Sequence, residues 1–142
     1  MIEDFITHPI FISVVTTTIV AGLIKYFVGI YRKEQKSIWW QLVRTGGMPS
    51  AHAAAVTTVI LNVYFIEGIS TLFFVTSVLG LIVIRDSFGV RWSVGQQAKI
   101  INKIIEHDHM HDSVKVILGH TMLQTFWGVV LGALVAMIVH SL

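Results

Sequence analysis

The residues of this chain whose types and spacing could do chemistry gather first in Arg44-Thr45-Gly46-Gly47-Met48-Pro49-Ser50-Ala51-His52, a glycine-containing loop running into a helix start. The loop amides of Gly46 and Gly47, the Ser50 hydroxyl and the helix N-terminus together suit an anion. Arg44 adds a planar fork matched to phosphate oxygens, and His52, one turn into the helix, can present a proton beside the bound group. The same residues equally describe an ordinary capped helix start. Cysteine is absent and histidine occurs seven times, so disulfides and thiolate metal sites are excluded and imidazole chemistry stays open.

Further candidates lie downstream. Asp86, beside Arg85, could orient a histidine or hold a divalent cation carrying a substrate phosphate, or simply pair with the arginine at a helix end. Arg91 follows the flexible Gly89 and needs an anion or water for its permanent charge. His107-Asp108-His109-Met110-His111-Asp112 has ligand-type residues, but neighbours at i and i+2 on a loop make a loose chelate, so a solvated loop is the expectation and no metal site is assigned. The lysine at position 25 stands inside an apolar run and must snorkel or pair.

These residues need a scaffold, and the composition says which solvent it faces. With 54% hydrophobic and 13% charged residues, the 142-residue chain is too apolar for a soluble domain of this size. Four apolar segments, near residues 9–31, 51–67, 70–85 and 120–141, are long enough to cross or nearly cross a bilayer, which needs about 20 residues. The middle two, separated by Glu67-Gly68, read as a tight helical hairpin. Between the third and fourth, near residues 96–112, Ile100, Ile101, Ile104 and Ile105 repeat at helical spacing beside Lys99, Lys103 and Glu106, the pattern of an interfacial amphipathic helix. The expected fold is therefore all-α: one polytopic membrane bundle over residues 1–142, of about four transmembrane helices plus the interfacial helix. The start, Met1-Ile2-Glu3-Asp4, is acidic where a cleavable signal needs positive charge, so the first span is expected to stay in the protein.

Nearly all basic residues fall in the two connections after spans one and three, which places the motif-bearing loops in the cytoplasm and both termini on the opposite side. A charge excess of two gives no reason to expect nucleic acid as a partner. In the last span Gly128 and Gly132 form a Gly-x3-Gly pattern that lets another helix approach closely, either within the chain or in a homo-oligomer.

Gly-Gly-Met-Pro-Ser-Ala-His, followed by Arg85-Asp86-Ser87-Phe88-Gly89-Val90-Arg91 and Leu118-Gly119-His120-Thr121, resembles the divergent membrane branch of the type-2 phosphatidic acid phosphatase superfamily, which also includes vanadium haloperoxidases. The resemblance runs from Lys25 to Gly132. It implies that Lys25, Arg32, Arg44 and Arg91 hold a phosphoryl group with Ser50 and the Gly46 and Gly47 amides, that His120 attacks phosphorus, and that His52 protonates the departing alcohol. Three departures stand out: Lys25 and Arg32 keep a Lys-x6-Arg spacing without the family's proline, Val114 stands six residues before His120 where an arginine belongs, and Gln124 replaces the aspartate that orients the nucleophile. Gln124, one turn after His120, can accept a hydrogen bond from Nδ1 but supplies no charge. Asp86 is the acid best placed to help. The resemblance thus implies a membrane phosphatase for a lipid phosphate or prenyl pyrophosphate that works without a required cofactor, or, if turnover is lost, a lipid-phosphate-binding scaffold.

Overall fold

The computed structural model describes residues 2–31, 47–107, 113–114 and 119–142, which are helical apart from short connections and contain no strand. The helices are α1 (Ile2–Ile6), α2 (Pro9–Tyr31), α3 (Ala51–Glu67), α4 (Thr71–Phe88), α5 (Val90–His107) and α6 (Met122–His140). Three stretches, Pro9–Tyr31, Thr71–His107 and Met122–His140, are long and apolar enough to cross a membrane, and α3 is a shorter apolar helix. The chain is an α-helical membrane bundle. Arg32, Arg44, Gly46, Lys115 and residues 108–112 of the histidine-rich stretch lie outside the described residues, as do Trp39 and Trp40.

Local sequence sets the helix ends. Ser50 and Ser70, both in extended conformation, cap α3 and α4 by accepting the N–H groups of Ala53 and Phe73. Gly68 closes α3 at φ +67°, its N–H donating to the Tyr64 carbonyl, and Ser70 Oγ donates to Glu67 at 2.9 Å, which fixes the tight connection between the two helices.

α3 sits at the centre, against α2, α4 and α6. Its buried side chains and those facing it are small or polar: Ala53, Ala54, Thr58 and Asn62 meet Ser13, Thr17, Ala21 and Ala136, all nearly inaccessible. The large apolar side chains point outward, with Phe27 and Leu81 each 65% exposed. Lipid tails are as apolar as leucine, so close approach and hydrogen bonds, not apolar burial, hold helices together in a bilayer. Thr17 and Thr58 share a 2.9 Å hydrogen bond, Ser13 donates to Asn62 Oδ1 at 3.3 Å, and Asn62 Nδ2 donates to the Thr58 carbonyl at 2.9 Å.

The Gly-x3-Gly face is filled from within the chain. A Cβ on Gly128 would strike the Ser50 carbonyl, and one on Gly132 the Ala54 carbonyl, while Thr58 Oγ1 donates to the Gly132 carbonyl at 3.1 Å. Within the chain the partner of Gly128 and Gly132 is α3. The amphipathic helix anticipated near residues 96–112 begins six residues earlier, at Val90. Gly89 donates its N–H to the Arg85 carbonyl at 2.9 Å and accepts from Ser93 at 3.0 Å, so helical hydrogen bonding runs across the one-residue junction between α4 and α5, which is not a loose linker. Arg85 and Asp86 consequently lie inside the last turn of α4.

Candidate active site at the helix ends

The end of α4, the starts of α3, α5 and α6, and Lys25 of α2 bring the charged and titratable groups together. Lys25 belongs to the α2 face that also carries Ser13, Thr17 and Ala21, one turn apart, and that face packs on α3. Its side chain is consequently buried inside the bundle, with 6% exposure, and does not snorkel along the lipid surface. The charges of Lys25, Asp86 and Arg91 all act on His52, and those of Lys25 and His52 on His120.

His120 is the best-defined member. It is 3% exposed, and its backbone N–H donates to the Ser87 carbonyl at 2.9 Å, tying the α6 start to the end of α4. Ser87 Oγ and Thr125 Oγ1 reinforce that junction at 3.2 Å. Gly119, just before it, lies so close to the backbone of Arg91 and Trp92 that no Cβ would fit, which draws His120 toward the start of α5. Asn102 helps return the chain, exchanging two hydrogen bonds with the Val114 backbone at 2.7 and 2.8 Å.

The ring nitrogen Nδ1 of His120 lies 3.0 Å from the Gly47 carbonyl. A carbonyl can only accept, so Nδ1 carries the proton and Nε2 keeps its lone pair. Gly47 has φ +82°, a conformation that suits glycine and turns its carbonyl onto the ring. Burial pushes the imidazole down to about 4, the Lys25 charge adds to this, and the Gly47 carbonyl and Gln124 side chain oppose it. The ring is therefore neutral at pH 7.

This corrects the partner expected for Nδ1. Gln124 stands at the third position of α6 and its Oε1 accepts the Thr121 N–H at 3.0 Å, while Thr121 Oγ1 accepts the Gln124 N–H at 3.3 Å. Thr121-x-x-Gln124 is a capping box, a pattern the sequence itself carries. Ser50 has structural bonds as well: its hydroxyl caps α3, its N–H donates to the Gln124 carbonyl at 3.0 Å and so docks the site loop on α6, and the side chain is fully enclosed.

Asp86 does not touch His120; its Oδ2 accepts from Arg91 Nε at 2.6 Å, across Gly89, with both side chains partly exposed. Arg85 instead lies over the Phe88 ring at 5.5 Å. With one Asp86 oxygen held by a guanidinium, a divalent cation there would share its ligand with a positive charge. Among the described residues no three His, Asp or Glu side chains converge as a metal site. His52 is exposed in the first turn of α3. The cluster therefore pairs an enclosed neutral imidazole, protonated at Nδ1, with an accessible imidazole and two cations.

Residues 6–135 match the family described as the Divergent PAP2 family. A membrane protein of Bacillus subtilis (strain 168), YuiD, is 31% identical over 95% of this chain and 96% of its own length. No solved structure matches the chain.

Proposed function

The chain belongs to the Divergent PAP2 family, and from that membership and the geometry at His120 we propose that it is a membrane phosphatase acting on a lipid-linked phosphate or pyrophosphate at the cytoplasmic leaflet. The observation that carries this reading is the Gly47 carbonyl on Nδ1, which leaves a neutral Nε2 nucleophile beside Lys25. The ancestral aspartate has two roles, choosing the tautomer and stabilising the imidazolium as it forms. A backbone carbonyl performs the first and only part of the second.

Nε2 of His120 attacks phosphorus in line with the ester oxygen. A phosphorus–nitrogen bond forms as the phosphorus–oxygen bond breaks, and His52, protonated, gives its proton to the departing oxygen. Lys25 and Arg91 neutralise the equatorial oxygens, with Arg32, Arg44 and the Gly46 and Gly47 amides completing the cradle. Water then attacks the phosphohistidine, passing its proton to His52, and phosphate leaves with His120 restored. No metal enters these steps.

A second reading, a lipid-phosphate-binding scaffold, draws on one observation: Asp86 is paired with Arg91, and position 124, a glutamine, carries no charge to give His120. The test is phosphate release by purified protein from a panel of lipid phosphates and prenyl pyrophosphates, with and without magnesium, beside His52→Ala and His120→Ala. Release abolished by either substitution supports the phosphatase. Folded protein that binds lipid phosphate and releases nothing above the variants supports the scaffold.

A further inference from the structure

An apolar groove of about 210 Å³ runs between α2 and α6. Ile24 and Val28 form its α2 wall, and Trp127, Leu131 and Leu134 its α6 wall, spaced to share one face of that helix. Its closing wall is Met48 and Pro49, the two residues that follow Gly47, whose carbonyl holds His120. Ile24 also precedes Lys25 directly. The groove is thus lined by immediate chain neighbours of the cluster at two separate segments.

The lining is almost wholly carbon, so the groove offers a ligand no polar anchor of its own. From Trp127 to Leu134 it follows α6 for roughly 10 Å at 1.5 Å per residue. That shape is too slim for a helix from a second copy, which is about 10 Å across, and suits one extended hydrocarbon chain. A second apolar groove, around Gly80 between α3 and α4, has no residue of the Gly47 loop in its wall. Of these two grooves, the α2–α6 one has Met48 and Pro49, which follow Gly47, in its wall.

We infer that the α2–α6 groove holds one hydrocarbon chain of the lipid whose phosphate is bound at His120. The inference rests on the phosphatase reading for the position of the phosphate. Chain length is then sensed along α6, from Trp127 nearest the headgroup to Leu134 at the far end. Discrimination among lipid phosphates comes from this track as well as from the headgroup.

Two measurements on the full chain in phosphatidylcholine vesicles test it. The first is quenching of Trp127, taken as the difference from Trp127→Phe, by a monoacylglycerol phosphate with a brominated chain and by the same brominated monoacylglycerol lacking phosphate. Quenching at least twice as strong by the phosphate form is expected, and equal quenching overturns the inference, since bulk lipid then fills the groove indiscriminately. The second is the ratio of phosphate-release rates for long- and short-chain monoacylglycerol phosphates. Leu134→Trp, at a half-exposed position that spares the bundle interior, should lower this ratio about tenfold, the loss of roughly two buried methylenes. Leu79→Trp, in the groove around Gly80, should leave it at the parent value. A ratio unmoved by Leu134→Trp overturns the inference. Preferential quenching without phosphate release would uphold the groove and refute the phosphatase, whereas release with equal quenching would do the reverse.

Discussion

Replacing Gly132 with alanine tests the contact that holds the two histidine-bearing helices in register. The added Cβ would overlap the carbonyl of Ala54, with that residue's Cα and carbonyl carbon 3.0 Å away. These are backbone atoms of a central helix and cannot turn aside; α3 and α6 must separate. Overpacking of this kind costs ~1–3 kcal/mol. Separation also stretches the 3.1 Å hydrogen bond from Thr58 to the Gly132 carbonyl, worth about 1 kcal/mol. A destabilisation of roughly 2–4 kcal/mol is expected from the two effects together. Gly80→Ala is the matched control: its Cβ would meet the tip of Ile60 at 2.5 Å, a flexible side-chain end that can rotate away, so a loss below about 1 kcal/mol is expected. The assay is unfolding in mixed micelles by graded denaturing detergent, followed by helical circular dichroism. Equal midpoints for the two variants, or a milder effect at Gly132, would refute the idea that backbone contact between α3 and α6 organises the bundle.

Three further outcomes follow from the site. Because burial lowers the His120 pKa, its contribution to stability is fully present above about pH 6.5 and is lost as pH falls through about 4; the acid limb of phosphate release should accordingly fall near 4, and a midpoint at the free-imidazole value would sink the nucleophile assignment. Gln124→Glu keeps the cap acceptor and adds charge beside His120, so that limb should move up by about one unit or more, and an unmoved limb would show that position 124 does not reach the ring. Asp86→Asn removes an exposed ion pair, changing stability by less than about 1 kcal/mol, while releasing Arg91 for phosphate; unchanged inorganic phosphate affinity, read by phosphorus NMR, would argue against Arg91 as a phosphate ligand.

The helices were legible because each carries its own signals. Pro9 opens α2, Ser50 precedes α3, Glu67-Gly68 marks the turn, and the apolar runs supply the rest. Gly89 was harder to place. A lone glycine reads equally as a flexible link or as a helical junction, and only its bonds to Arg85 and Ser93 decide for the junction. At the site, residue types identified His120 but not its partner, because the acceptor is a main-chain carbonyl 73 positions away and no side-chain identity encodes that contact. Asp86 and Arg91 are legible as charges, yet their pairing depends on how the chain passes Gly89. Gln124 is ambiguous for another reason: glutamine at that spacing serves a helix cap as well as a histidine, and here it caps α6 while also acting on His120.

The placement of α3 also bears on how the chain enters a bilayer. At 17 residues it extends about 26 Å, short of a hydrocarbon core of roughly 30 Å, and Thr57, Thr58 and Asn62 weaken its affinity for lipid further. Alone it is the segment least able to remain in the membrane during synthesis. Its buried hydroxyl and amide groups find their partners in α2, already made, and in α6, made last, while the hydroxyl-capped turn at Glu67–Ser70 joins it directly to the strongly apolar α4. α3 and α4 are therefore expected to insert as one hairpin, and the site is complete only once α6 has packed on α3.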